Sequence, residues 1–384
     1  MVLTDFPDTL QIFLTNDCNL RCSYCFVSKE ACRNRELDTE EIKAAIGFFL
    51  RSSPRQKIIS FSGGEPLRRP AKLKELLRVL SRDGALRQDV ACVDVVTNGT
   101  LLEGDVARWL NVEGVGLTIS MDGKRETHDA ARPWRFRQKG SSHARVVRNL
   151  KPLFRRDPGR LKASLVFTPS NVQDLLANIQ YLRQLGFRSI DFYPALYSRW
   201  SSQALDALDT QFGRLCRYYL HLFRRARKKE DVFSCAALRH LTGGRLYGPF
   251  ICRKVSLCWD GQYYCCDKAL SLPWAQRKPF IVGSAPEGFD NKLRLRLLRR
   301  QRREIKRITG QDCSACACVP YCFCPIGHHI YFSSRGVDFK RYFPIFCRIS
   351  RITISNFYKV WQQLKCDPLF AEIYNVPPAP LCHP

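Results

Sequence analysis

The sequence predicts an α/β protein: a partial (β/α)6 barrel followed by a small cysteine-rich module. Three observations lead there. From Thr9 to about Lys229, six short β-rich runs alternate with helix-length amphipathic segments. The runs are nearly continuous in apolar residues, as parallel strands covered on both faces are. After about residue 234 the alternation stops, and ten cysteines fall between Cys252 and Cys347. The expected division is 1–233 for the barrel and 234–384 for the cysteine-rich region with a C-terminal helix and tail.

The runs are "TLQIFLT" from Thr9, "KIISFSG" from Lys57, "VACVDVVTNG" from Val90, "GVGLTISMDG" from Gly114, "LKASLVFTP" from Leu161 and "SIDFYPA" from Ser189. Asp38, with Glu41 three residues on, reads as a capping box before Ile42, Ile46 and Phe49, which share a helical face. Beyond residue 234, glycine and proline punctuate short segments such as "YGPF", "WDGQ", "SAPEG" and "CPIG". Too little apolar periodicity remains there for an independent core, so bound metal is expected to supply part of the folding energy. The run "LRLRLLRRQRREIKR" from Leu293 reads as a solvated helix joining two cysteine groups.

The chain has 384 residues, 45% of them hydrophobic, enough for a sizeable core. Its start lacks the charged, apolar and small-residue regions of a secretory signal, and no apolar run approaches the roughly 18 residues of a membrane span. A cytoplasmic, reduced chain is expected, with no membrane partner. In that setting nineteen cysteines point to metal or redox chemistry more than to disulfides. The net charge of +27, from 62 Lys and Arg against 35 Asp and Glu, attracts polyanions: nucleic acid, an anionic membrane or an acidic polypeptide could each satisfy it.

In "DCNLRCSYCF", Cys18, Cys22 and Cys25 lie in the loop after the first run. A four-iron four-sulfur cluster usually takes four thiolates; three leave one iron open to a small chelating ligand. The same spacing also fits a three-thiolate zinc site completed from afar, or three ordinary buried cysteines. Placement favours the cluster. "SGGEP" follows the second run, "TNGT" the third and "SMDG" the fourth, and in a TIM-type barrel loops after strands converge on one face. Gly63 and Gly64 permit close backbone approach to a ligand, and Glu65 can accept from an ammonium. Asn98, Ser120 and Asp122 offer hydrogen bonds for a carboxylate or ribose. Together they describe a site for a zwitterionic nucleoside.

The Cys-x3-Cys-x2-Cys loop with Tyr24 and Phe26 about its last cysteine, then "GGEP", "TNGT" and "SMDGKRETHDAAR", resembles the radical S-adenosylmethionine (SAM) superfamily over about residues 9 to 195. The resemblance implies that Cys18, Cys22 and Cys25 hold a [4Fe-4S] cluster whose open iron is chelated by SAM. It implies that Gly63 to Glu65 meet the SAM ammonium, Asn98 and Ser120 the ribose or carboxylate, Arg132 the carboxylate and Tyr24 the adenine. One electron would then cleave SAM to methionine and a 5'-deoxyadenosyl radical, which abstracts a substrate hydrogen.

A second group comprises Cys252, Cys266, then Cys313-x2-Cys316-x5-Cys322-x-Cys324, and Cys347. Its thiols alone fit two zinc sites or two iron-sulfur clusters. Beside the first resemblance, about residues 250 to 350 resemble the SPASM extension with two auxiliary [4Fe-4S] clusters. By that resemblance Cys313, Cys316, Cys322 and Cys347 hold one, and Cys252, Cys266 and Cys324 three corners of the other. The fourth corner falls to Cys235, Cys258, Cys265 or Cys318, or stays open to substrate. One residue between Cys322 and Cys324, where the family has three, is a departure. Asp267 sits where sulfatase-maturing relatives have a proposed base. Cys32, Cys92, Cys216, Cys366 and Cys382 read as incidental thiols, and His328 and His329 as structural.

The resemblance implies a peptide- or protein-modifying enzyme, making a crosslink, an epimer or an oxidised residue, reduced by a donor such as flavodoxin or ferredoxin; the positive charge points to an acidic substrate. The runner-up is an anaerobic sulfatase-maturing, formylglycine-forming enzyme. The rival of another class, a basic metal-stapled nucleic-acid binder, has no use for the strand-end motifs. With the first strand at Thr9, any leader peptide is expected to meet the barrel or the C-terminal module.

Overall fold

The structure, a computed structural model, describes residues 6–27, 36–53, 56–82, 88–112, 115–136, 140–242, 252–313, 316, 318, 322, 325–333 and 338–375. All six expected strands form: β1 (Thr9–Phe13), β2 (Lys57–Ser62), β3 (Val90–Thr97), β4 (Gly116–Ser120), β5 (Leu161–Phe167) and β6 (Ser189–Pro194). They pair in parallel in chain order. The connections carry α1 (Thr39–Arg51), α2 (Pro70–Arg82), α3 (Gly104–Val112), α4 (Arg125–Ala131), α5 (Ser142–Arg156) and α6 (Leu175–Leu185), and α7 (Ser202–Arg225) follows β6.

The α1 helix shows how local chemistry sets these units. Asp38 accepts from the Glu41 backbone N at 2.7 Å and Glu41 returns the bond to the Asp38 N at 3.1 Å, the capping box read from sequence. Ile42, Ala45, Ile46, Phe49 and Leu50 bury its apolar face. Its far end is finished by an unusual partner. Lys57, fully buried at the start of β2, donates to the Ser53 carbonyl at 2.6 Å, the Ser53 hydroxyl at 2.9 Å and the Leu50 carbonyl at 3.4 Å. An ammonium there satisfies carbonyls left over at the helix C-terminus and complements its dipole.

The cysteine-rich region extends the same sheet. Strand β7 (Lys254–Cys258) pairs in parallel with β1, Thr9 opposite Lys254. Then β8 (Gln262–Tyr264), β9 (Ile281–Ser284) and β10 (Gly288–Phe289) continue as antiparallel neighbours. The order among the described strands is β10-β9-β8-β7-β1-β2-β3-β4-β5-β6.

The expectation of little apolar periodicity after residue 234 is corrected. Beyond α8 (Asn291–Thr309) and α9 (Pro325–Ser333) comes α10 (Phe339–Leu364), which buries Phe339, Phe343, Phe346, Ile349, Phe357, Val360 and Leu364. Phe357 packs on Phe192 and Phe212 from the barrel, so the core is shared. Pro344 in the second turn of α10 disguises the helix in the sequence.

The basic α8 is largely solvated, as expected: Lys292, Arg296, Arg299, Arg300, Arg303, Lys306 and Arg307 are exposed while Leu295, Leu298 and Ile305 face inward. Arg294 is the exception. Fully buried, it bonds Asn291 Oδ1 at 3.0 Å and the Cys252 carbonyl at 2.8 Å, anchoring the second cysteine group. No described helix is long and apolar enough to cross a membrane.

Replacing Lys57 with Met keeps side-chain length but leaves the carbonyls without their donor. Lys57→Met should lose about 1–3 kcal/mol of stability, read as a lower urea midpoint at unchanged slope; an unchanged midpoint would refute the capping role.

Candidate functional site

Strand β1 delivers Cys18, Cys22 and Cys25 to the carboxyl end of the sheet in a loop that is fastened on two sides by backbone. On the β2 side, Gly64 N donates to the Thr15 carbonyl at 2.6 Å and Glu65 N to the Asp17 carbonyl at 2.8 Å. On the other, Arg21 N reaches Pro133 O at 2.8 Å, Ser23 N reaches Ala131 O at 3.0 Å and Arg135 N reaches Asn19 O at 2.9 Å. A Cβ on Gly63, whose φ is +148°, would strike the Thr15 carbonyl; one on Gly64 would strike those of Asn16 and Asp17. The expected close approach is therefore real, and what it admits is the backbone of the cysteine loop.

The expectation for Glu65 is corrected. It is fully buried, with Oε1 accepting from Thr97 Oγ1 at 2.7 Å and Leu67 N at 3.1 Å, and Oε2 from Asn98 N at 2.7 Å. Committed to those donors, it ties the β2 and β3 loops together and does not face an ammonium. Burial pushes its carboxyl up to about 7 against the opposing pull of Asn98, Thr97 and Leu67.

Asn98 accepts at Oδ1 from Thr100 N at 3.0 Å and Thr100 Oγ1 at 2.6 Å. Its Nδ2 donates to Asn19 Oδ1 at 2.9 Å and towards Cys18 Sγ at 3.8 Å. Leu20 N also lies 3.4 Å from that sulfur. Asp122 and Arg132 form a buried fork, Nε to Oδ2 at 2.9 Å and NH2 to Oδ1 at 3.0 Å. Tyr24 donates its hydroxyl to Asp122, Val166 N adds a bond at 2.9 Å, and the Arg132 guanidinium lies 5.3 Å from the Tyr24 ring centre. Arg132 NH1 is 3.9 Å from Cys22 Sγ. Groups expected to meet a nucleoside are thus bonded to one another and to the thiols. Ser120, half-buried, ends β4 opposite Ser164.

The sequence reading passed over Asn19, Thr97, Thr100 and His128, all inside or beside its own motifs. His128 is buried and accepts from Asp122 N at 3.4 Å through Nδ1; burial, aided by Arg132, drops its pKa to about 3, so the ring is neutral.

Cys18 is buried, Cys22 half-buried and Cys25 exposed. Burial pushes the Cys22 thiol up to about 12, with Arg132 pulling the other way. Three thiols on one loop, N–H donors aimed at two of them and an exposed flank at the third fit a thiolate-ligated cluster open on one side.

In the second group, Cys266 Sγ lies 3.6 Å from where a Cβ on Gly327 would stand, so it faces the start of α9. Cys252 feels the charges of Lys254 and Asp267. Cys324, Cys32 and Cys382 lie outside the described residues. Cys313, Cys316 and Cys318 act electrostatically on Cys347 of α10, and Cys322 donates to Ser350 one turn on, at 3.5 Å. Cys318 thus lies near Cys316 and Cys347. Cys235 is removed as a fourth corner beside Cys252 and Cys266, since it sits with Tyr374 and Cys216. Cys258 and Cys265 are fully buried near Cys266 in sequence and remain. Cys366 is disulfide-bonded, against the expectation of an incidental thiol. His328 and His329 pack on Phe346 and Phe339, as structural residues do.

Asp267 accepts from Lys268 Nζ at 2.9 Å, and the same ammonium lies 3.6 Å from the Phe26 ring centre. Burial alone would raise its pKa, but Lys268 and Lys254 outweigh it and hold the carboxyl below its ordinary value. A general base works best near the operating pH, so this pairing weighs against the expected catalytic role.

A parallel α/β sheet with a thiol-bearing loop at its carboxyl edge, and a second thiol-rich region on an adjoining strand, defines a candidate iron-sulfur protein. The chain carries a radical SAM domain: residues 12–199 match the Radical SAM superfamily, whose members use a [4Fe-4S] cluster and SAM. It is 32% identical over 244 residues to the Fe-coproporphyrin III synthase of Methanosarcina barkeri, covering 61% of this chain and 56% of that one. It is 24% identical over 189 residues to a cysteine-type anaerobic sulfatase-maturating enzyme of Clostridium novyi, 47% of this chain and 49% of that one. The matches thus span about half the length of those relatives. Among solved structures, native anSMEcpe with bound AdoMet and Kp18Cys peptide superposes with a TM-score of 0.67 at 19% identity, covering 89% of this chain and 99% of that one. That likeness establishes the fold.

The raised carboxyl of Glu65 gives a pH test. Because its folded value of about 7 lies above the unfolded 4.5, its contribution is full below pH 4.5 and is lost as pH rises to 7. Relative to Glu65→Gln, the wild type should lose on the order of 3 kcal/mol across that window in urea titrations; a difference constant with pH would show that the carboxyl is not protonated when folded.

Proposed function

We propose that this chain is a radical SAM enzyme that modifies a peptide or protein. The observation that carries the reading is the β1–β7 pairing, which sets a three-thiol loop and a second thiol-rich region on neighbouring strands of one sheet. The likeness over 89% of the chain to a fold solved with AdoMet and a peptide supports it. In this reading Cys18, Cys22 and Cys25 hold the SAM-binding cluster. Residues 1–233 form its domain. Residues 234–384 carry two auxiliary clusters, on Cys313, Cys316, Cys322 and Cys347, and on Cys252, Cys266 and Cys324. Bound there, the cofactors would supply the electron that cleaves SAM to a 5'-deoxyadenosyl radical.

The protein's own part is to fasten the cysteine loop, set half-buried Tyr24 against buried Asp122 and Arg132 as one flank of the SAM site, with Ser120 at the end of β4, and leave Cys25 exposed. A flavodoxin or ferredoxin would supply electrons in a cytoplasmic setting. Formylglycine formation on a sulfatase is the narrower form of this reading, favoured by the Clostridium relative. A tetrapyrrole substrate is the second reading, favoured by the 32% identity to the Fe-coproporphyrin III synthase.

Anaerobically reconstituted wild type, reduced with SAM, should release 5'-deoxyadenosine, and Cys18→Ala/Cys22→Ala/Cys25→Ala should release none while keeping its remaining iron. SAM cleavage by that variant would sink the assignment. A mass change in acidic peptide, with no Fe-coproporphyrin III formed from a tetrapyrrole precursor, supports the peptide reading; the reverse replaces it with the second.

The exposed basic face of α8 offers an anionic peptide a docking field. Steered encounter should be raised by ~10 to 10³-fold and fade as the Debye length shrinks from ~10 Å at 0.1 M salt to ~3 Å at 1 M. Arg296→Glu/Arg300→Glu/Arg303→Glu should therefore weaken binding of an acidic peptide in fluorescence anisotropy at low salt, with SAM cleavage unchanged. Equal affinity in variant and wild type rejects the docking face, and tighter binding of a random RNA than of any peptide revives the nucleic-acid alternative.

A further inference from the structure

We propose that Arg132 and Asn98 are positioning residues that set the reduction potential of the cluster on Cys18, Cys22 and Cys25, each by aiming a side-chain N–H at a ligand sulfur. The inference rests on the reading of those three cysteines as ligands.

Each donor is held by a buried frame that spends its other bonding capacity. Arg132 uses Nε and NH2 on the two oxygens of Asp122, leaving NH1 directed at Cys22 Sγ, 3.9 Å away. Asp122 cannot swing, because Val166 N and Tyr24 hold its carboxylate and its own backbone N is bonded to His128 Nδ1. The planar guanidinium fork makes this division possible; an ammonium has no fixed third direction. On the other side of the loop, Asn98 is oriented by two bonds from Thr100 to its Oδ1, and its backbone N is fixed on Glu65. Its Nδ2 is thereby turned towards Asn19 and Cys18 Sγ. Both frames are buried, where a hydrogen bond is electrostatically stronger than in water.

Hydrogen bonds to cluster sulfurs are one of the protein's means of tuning potential. An N–H dipole or a cation beside a thiolate stabilises the extra negative charge of the reduced cluster, so both groups raise the potential. The couple is the one-electron reduction of the cluster by an external donor of the flavodoxin or ferredoxin class. No bond to Arg132 or Asn98 is made or broken, and neither residue takes up the electron.

The test is an EPR-monitored redox titration of the full, anaerobically reconstituted chain, following the reduced-cluster signal that Cys18→Ala/Cys22→Ala/Cys25→Ala lacks. At the wild-type midpoint, the ratio of reduced to oxidised cluster should fall about tenfold in Arg132→Lys and in Asn98→Ala, a midpoint lower by about 59 mV. Thr100→Val, which removes the hydroxyl that bonds Asn98 Oδ1 and accepts from Asn19 Nδ2, loosens the frame that aims Asn98 and should move it the same way by about two- to threefold. Wild-type potentials in Asn98→Ala and Thr100→Val at full iron content overturn the proposal, whether or not Arg132→Lys folds. Should the triple cysteine variant retain every cluster signal, the ligand assignment itself fails and takes this inference with it; an unchanged potential with the signal correctly lost leaves that assignment standing.

Discussion

The candidate site depends on how near two stretches of backbone can come at Gly63 and Gly64. The cysteine loop has no regular secondary structure, so its carbonyls need partners from elsewhere. The loop after β2 supplies them, with Gly64 N and Glu65 N on Thr15 and Asp17. A side chain at Gly63 would occupy the space of the Thr15 carbonyl, and one at Gly64 that of the Asn16 and Asp17 carbonyls. The same approach carries Glu65 inward to Thr97 and Asn98, so a single steric permission orders the loops after β1, β2 and β3 against one another.

Charge is handled in opposite ways inside and outside. At the surface, like-signed arginines on α8 are tolerated because water and salt screen them. Next to Cys22, Arg132 and Asp122 are almost wholly withdrawn from solvent, and removing either would strand the other. Such a pair contributes geometry more than stability. It closes one side of the cysteine loop as a neutral unit and keeps Tyr24 in register with it.

The six barrel strands were legible because each is a short apolar run bounded by turn residues, and α1 because its capping box is written in four residues. Strands β8 and β10 were not, being three and two residues long, and Pro344 masked α10. The partnership of β1 with β7 has no local signature, since parallel pairing is specified only when the chain is folded. At the site, the spacing of Cys18, Cys22 and Cys25 and the glycines after β2 marked the right place. Glycine, however, reports that something comes close and not what. Similarly, Glu65, Asn98 and Arg132 announced hydrogen bonds without saying whether protein or ligand would answer them, and the protein answers most of them. The nearness of Cys318 to Cys316 and Cys347 depends on where α10 packs, which has no local signature.

The position of β1 also bears on how the chain is made. Its neighbours are β2, encoded soon after it, and β7, whose Lys254 lies opposite Thr9. During synthesis the barrel strands can assemble in order, yet β1 stays an edge strand, one row of N–H and C=O groups unpaired, until the ribosome has released Cys258. Such long-range closure is slow compared with local pairing. Through that interval the open edge lies next to three thiols, a template for pairing with another nascent chain until the second half of the polypeptide arrives to seal the first.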